Sequence, residues 1–178
     1  RTMIDAFPRW RLWEMFDIAY VITWEHDLPG PFTAHRVAMQ GDEWAKNTVY
    51  VHRLEKDFAR AWIVHQVRHA TDIAALEAMA DPDFDPSSEV IVADSERALD
   101  AASSEVVSSA EISDYAPEEI IVQTDLQAPG WLVLGEWYYP GWHVWVDGVR
   151  DQVSRVDFGL RGIALPAGSH EVVFRYRP

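Results

Sequence analysis

From residue 106 onward the chain is cut by turn signals at short intervals, and this punctuation limits the fold more than any other feature. Ala128-Pro129-Gly130, Tyr139-Pro140-Gly141, Asp147-Gly148 and Pro166-Ala167-Gly168 separate short runs that read as strands. Seven such runs are expected: 106–113, 119–125, 130–137, 142–146, 152–156, 162–165 and 170–176. Asp147-Gly148, set between Trp142–Val146 and a following extended run, is a hairpin signal, because both residues tolerate positive φ. In the last run Val172, Phe174 and Tyr176 alternate with Glu171, Val173, Arg175 and Arg177, the period of a strand. Seven short strands at this spacing favour an antiparallel sandwich.

The N-terminal half reads differently. Trp10, Trp13 and Phe16 have helical spacing, and Ala19–Thr23 reads as a buried strand. Asp27–Pro31 is a loop, because two prolines and a glycine break either ladder. Residues 49–53 alternate, residues 60–68 form a stronger strand, and 89–93 is strand-like. A helix is expected over Asp72–Ala80, with Thr71 as N-cap and Ile73, Leu76 and Met79 or Ala80 on one stripe. Asp81-Pro82 stops it. Residues 94–105 are small, polar and acidic, and mark a linker. The expected fold is α+β, predominantly β: a smaller mixed α/β lobe over 1–93, a linker over 94–105, and an antiparallel β-sandwich of jelly-roll or immunoglobulin-like type over 106–178.

Charge excludes some function classes. Asp and Glu outnumber Lys and Arg 29 to 15, for a net charge of −14, so the basic footprint that nucleic acid or anionic headgroups require is missing. Without cysteine there can be no disulfide, thiolate nucleophile or cysteine metal site. No run approaches the roughly 18 apolar residues that span a bilayer, and no basic-then-apolar leader opens the chain. The sequence begins mid-pattern at Arg1 and stops at Pro178 directly after a strand, so it reads as a piece of a longer protein.

Few residues suggest chemistry. His65 and His69 lie four apart on a strand, roughly 13 Å, too far to share a tetrahedral ion. Asp81, Asp83 and Asp85 faintly resemble a calcium loop, but Pro86 and Val92 stand where glycine and glutamate are needed. The simpler reading is a helix stop and turn with Phe84 in the core. No nucleophile elbow, phosphate-cradling loop or dinucleotide fingerprint is present, so no catalytic residue and no cofactor is assigned. The nine tryptophans serve equally as core or as binding platform. The densest cluster, Trp137, Tyr138, Tyr139, Trp142 and Trp145, is the candidate carbohydrate-binding set. Its alternative is a strand with Trp142 and Val144 on one side and His143 and Trp145 on the other.

That cluster also carries a family resemblance. Gly130-Trp-Leu-Val-Leu-Gly-Glu-Trp-Tyr-Tyr-Pro-Gly-Trp-His-Val-Trp-Val-Asp-Gly148 resembles the "LVLS-x-x-YYPGW-x-x-x-VDG" signature of YfhO-type bacterial membrane proteins. Val156–His170 is similar to the family's "aN-x-x-fRGv-x-vPAG-x-H" segment, and Glu171–Pro178 to its closing "VvFrYrP". Phe16–Thr23, Arg60–Val64 and Asp81–Pro86 are weaker matches in the same order. Gly135 stands where the family usually has Ser, and Asp157 where it often has Asn. The resemblance implies a bacterial, extracytoplasmic, non-catalytic accessory domain of a glycosyltransferase-like membrane protein that uses lipid-linked sugars. Its partners would be the membrane-embedded remainder of the same polypeptide and a cell-envelope glycan. A secreted carbohydrate-binding module, or a structural or assembly domain marked by a contiguous apolar patch, are the alternatives.

Overall fold

The computed structural model describes residues 8–28, 30, 33–41, 48–55, 59–93 and 106–178. Two compact units divide between Ala59 and Arg60. Residues 60–93 therefore belong with the C-terminal strands, not with a lobe ending at 93, and the expected linker over 94–105 lies outside the described residues.

The unit over residues 8–59 holds helix α1 (Arg9–Met15) and three strands, β1 (Tyr20–Thr23), β2 (Ala34–Gln40) and β3 (Val49–Leu54), in the antiparallel order β1-β3-β2. Tyr50, His52 and Leu54 of β3 are buried on one face, and the His52 Nε2–H donates to the Glu25 carbonyl at 3.0 Å. The expected buried strand over 19–23 is instead an edge strand with alternating exposure. Its apolar run alone does not reveal that a strand paired on one side only leaves Tyr20 and Ile22 facing out.

The second unit contains the sandwich. One antiparallel sheet runs β11 (Val149–Asp151), β10 (Trp142–Val146), β14 (Gly168–Tyr176), β8 (Glu119–Leu126) and β7 (Ser108–Ala116). The other runs β12 (Ser154–Val156), β13 (Leu160–Leu165), β9 (Gly130–Trp137) and β4 (Ala61–Val64). Alternate residues from both sheets meet between them: Ile120, Val122, Leu132, Leu134, Val144, Ile163, Val172 and Phe174 form one buried cluster. Asp147 and Gly148 make the β10–β11 turn with φ of 50° and 78°, as the hairpin signal requires.

The outer face of the four-stranded sheet is covered too. Trp131 and Val133 are fully buried there, and the Trp62 indole donates to the Pro86 carbonyl at 2.8 Å. The covering layer is the parallel pair β5 (Gln66–His69) and β6 (Glu89–Val92), joined by helix α2 (Asp72–Ala80). Expected as one strand, residues 60–68 break at His65, and β4 and β5 join different sheets. His65 fixes the break, with one ring nitrogen on the Pro129 carbonyl and the other on the Ser108 hydroxyl, each at 2.9 Å. Helix α2 has the expected bounds but not the expected stripe. Ala75 and Met79 are its buried residues, Ile73 is exposed, and the Thr71 side chain makes no capping bond.

Candidate functional site

The candidate aromatic residues separate into three environments. Trp142 points between the sheets and is buried, as Val144 is. Trp137 ends β9, Tyr138 and Tyr139 follow it, and the three are exposed by 52%, 38% and 44%. Trp145 lies on the opposite side of β10 from Trp142, with His143, at a ring separation of 6.3 Å. The structure therefore leaves Trp137, Tyr138 and Tyr139 exposed in succession at one end of the sandwich, with Tyr139 against Trp142, and places Trp145 elsewhere.

Packing fixes this rim from beneath. Tyr139, Trp142 and Tyr176 form a triangle, with ring centroids 6.2 Å, 5.6 Å and 5.6 Å apart. Such edge-on and tilted pairs add stabilisation beyond the area they bury. The turn that starts β10 needs Gly141, whose φ is 100° and where a Cβ would lie 2.6 Å from the Tyr176 ring. The Trp137 ring lies against Gly159, leaving no room for a side chain there. The Tyr138 N–H donates to the Gly159 carbonyl at 2.7 Å.

Under the rim sits a buried cation that the sequence reading missed. Arg161 of β13 is only 2% exposed, points into the sandwich, and lies 3.8 Å from the Trp142 ring centroid and 5.9 Å from that of Tyr139. Its Nε–H donates to the Trp137 carbonyl at 2.9 Å, and its Nη2 is 3.7 Å from a Glu136 carboxylate oxygen. Burial pulls this guanidinium below its ordinary pKa, while the Glu136 charge opposes the shift. Glu136 also accepts from Arg60 at 2.9 Å and from the Tyr115 hydroxyl, and Arg60 donates to Tyr115 at 2.8 Å. Burial, then the hydrogen bond to Glu136 and its charge, hold the Tyr115 phenol above its ordinary value. The chain Arg60–Tyr115–Glu136–Arg161 thus joins the residue that precedes β4 to β7, β9 and β13. An arginine inside the apolar run Leu160-Arg161-Gly162-Ile163 was the one signal in the sequence that could have flagged it.

The other candidates resolve into local structure. Both His65 nitrogens are engaged as above, and among the described residues no three His, Asp or Glu are grouped to hold a metal. Asp81 accepts the Asp83 N–H at 3.0 Å, Asp85 accepts from Ser87, and Phe84 is buried, so the segment is a pair of turns. A cleft of about 120 Å³ beside His65, Ser88 and Val106 is well below the ~300 Å³ of ordinary ligand pockets. Among the described residues the exposed aromatic segment 137–139 is the strongest ligand-facing feature.

No family model matches the chain, and no curated protein or solved structure matches it. No helix among the described residues is long and apolar enough to cross a membrane.

Proposed function

We propose that this chain is a non-catalytic accessory domain on the extracytoplasmic side of a bacterial polytopic membrane protein of the glycosyltransferase-like YfhO type, and that it contacts a cell-envelope glycan. The membrane context rests on the similarity of Gly130–Gly148 and Val156–Pro178 to that family's motifs. The glycan contact rests on one observation: Trp137, Tyr138 and Tyr139 are exposed together on a rim that Trp142, Tyr176 and Arg161 hold in place. Exposed aromatic rings on a fixed support offer apolar faces to a sugar ring at low entropic cost. The Tyr138 and Tyr139 hydroxyls supply polar partners on the same residues. Titration with cell-envelope oligosaccharides, followed by tryptophan fluorescence, tests the reading. A saturable change supports it, and a flat response across such sugars overturns it.

A second reading, an assembly domain, has its own observation. Tyr20 and Ile22 share one face of β1, Trp24 continues the alternation, and they are exposed by 56%, 69% and 74%. Exposed apolar surface of this kind marks a contact with another protein surface.

A further inference from the structure

The outer face of the five-stranded sheet is divided by charge. Antiparallel pairing puts Trp145 opposite Val173 and Arg150, and His143 opposite Arg175. Directly paired residues share a face, so Arg150, His143, Trp145 and Arg175 stand together there, with Arg177 two residues beyond. The guanidinium carbons of Arg175 and Arg177 lie 5.7 Å and 5.6 Å from the Trp145 ring centroid. Arg175 is neutralised by Glu119, whereas Arg150 bonds only the His143 ring at 3.0 Å. Among the described residues neither Arg150 nor Arg177 has an ion pair, and both are exposed. The other half of this face is acidic: Glu111, Asp125 and Glu171 flank Gln123 and Ser169 in the same register.

We propose that Trp145, Arg150 and Arg177 form a second binding site, for an acidic sugar unit whose carboxylate or phosphate is taken by the two guanidiniums that have no ion pair among the described residues. It extends the glycan reading above and rests on it. Arginine presents planar, paired donors that match carboxylate and phosphate oxygens, and stacking on an indole leaves those donors available. Charge complementarity also selects the size of the ligand. Two uncompensated cations beside an acidic half-face, on a chain of net charge −14, attract a single anionic group and repel an extended polyanion. A discrete acidic sugar fits that pattern, whereas nucleic acid or an anionic bilayer does not.

The test follows the tryptophan indole N–H signals of the whole chain by NMR, with Trp145 assigned from Trp145→Phe and Trp137 from Trp137→Phe. The probes are an oligogalacturonide, glucose 1-phosphate, a neutral cello-oligosaccharide and phosphatidylglycerol vesicles. The expected result is a saturable shift of the Trp145 signal with the uronide, the sugar phosphate or both, and none with the neutral sugar. The relative response to the two acidic probes tells which anion the site prefers. Arg177→Gln weakens that response about fivefold to tenfold while the other indole signals keep their positions, since the side chain is exposed and its loss leaves the fold intact. No Trp145 shift with either acidic probe, an equal shift with the neutral sugar, or a response to vesicles alone overturns the proposal. Shifts at Trp137 report separately on the rim, so failure of one site is distinguishable from failure of the other.

Discussion

The Arg161 guanidinium carbon lies 3.8 Å from the centroid of the Trp142 ring, inside the sandwich and directly beneath the exposed rim. A buried cation is costly unless its environment compensates, and one Nη1 nitrogen of Arg161 has no hydrogen-bond partner. What compensates is the Trp142 face, the Trp137 carbonyl and the Glu136 carboxylate. The same three contacts hold the Trp137–Tyr139 segment, so support of the rim and stability of the sandwich end are coupled.

Trp142→Ala removes the lid over Arg161 and opens a cavity in the core. It is expected to destabilise the domain by about 3–5 kcal/mol in urea denaturation. Trp137→Ala, at an exposed position, is expected to cost less than about 1 kcal/mol.

Gly159→Ala places a Cβ 2.1 Å from the Trp137 ring. The ring must swing away, so this variant should retain its fold by circular dichroism, move the Trp137 indole signal, and lower glycan affinity. Gly141→Ala meets both positive φ and the Tyr176 ring, and is expected to lose roughly 1–3 kcal/mol of stability.

Asp157 gives a pH dependence with a definite sign. It is fully buried in the β12–β13 turn; one oxygen accepts the Ile91 N–H at 2.7 Å, and the other has no partner. Burial pushes its pKa from 3.8 to about 7, against the Ile91 hydrogen bond and with the help of the Glu89 charge. Between these values the unfolded chain releases a proton that the folded chain keeps. Stability therefore falls as pH rises from about 4 to about 7, by up to ~1.4 kcal/mol per unit, and is flat in this respect on either side. Asp157→Asn keeps the acceptor and the tolerance for φ of 45° without the charge. Its melting temperature should exceed that of the wild type at pH 8 and approach it at pH 4.

Trp24→Ser and Ile22→Ser remove exposed apolar surface that the fold does not use. Each should change stability by less than about 0.5 kcal/mol, while self-association in analytical ultracentrifugation decreases if this face mediates contact.

How far the fold was legible depended on whether the signal was local. The Asp147-Gly148 hairpin, the β9 and β14 strands and the bounds of α2 are set by residues adjacent in sequence, and all were readable. The break at His65 was not, because it depends on Pro129 and Ser108, over forty residues away. The exposure of β1 was hidden too, since Tyr20-Val-Ile-Thr23 spells a strand without stating how many neighbours it has. At the site, the sequence marked the aromatic cluster but could not divide it. Alternation put Trp142 opposite Trp145, yet which side was core depended on the second sheet supplying Leu132, Leu134 and Arg161. The ion cluster of Arg60, Tyr115, Glu136 and Arg161 draws on three separate strands and the residue before a fourth, and leaves no motif.

The most direct measurement is calorimetric titration of a cell-envelope oligosaccharide into the wild-type chain and into Trp137→Ala and Tyr139→Ala. Saturable binding by the wild type that falls at least about tenfold in both variants, with the melting curve of Trp137→Ala little changed and that of Tyr139→Ala lowered modestly, is the expected result. Absence of binding by the wild type, or binding that both variants retain in full, would contradict the proposal that this rim is a glycan contact.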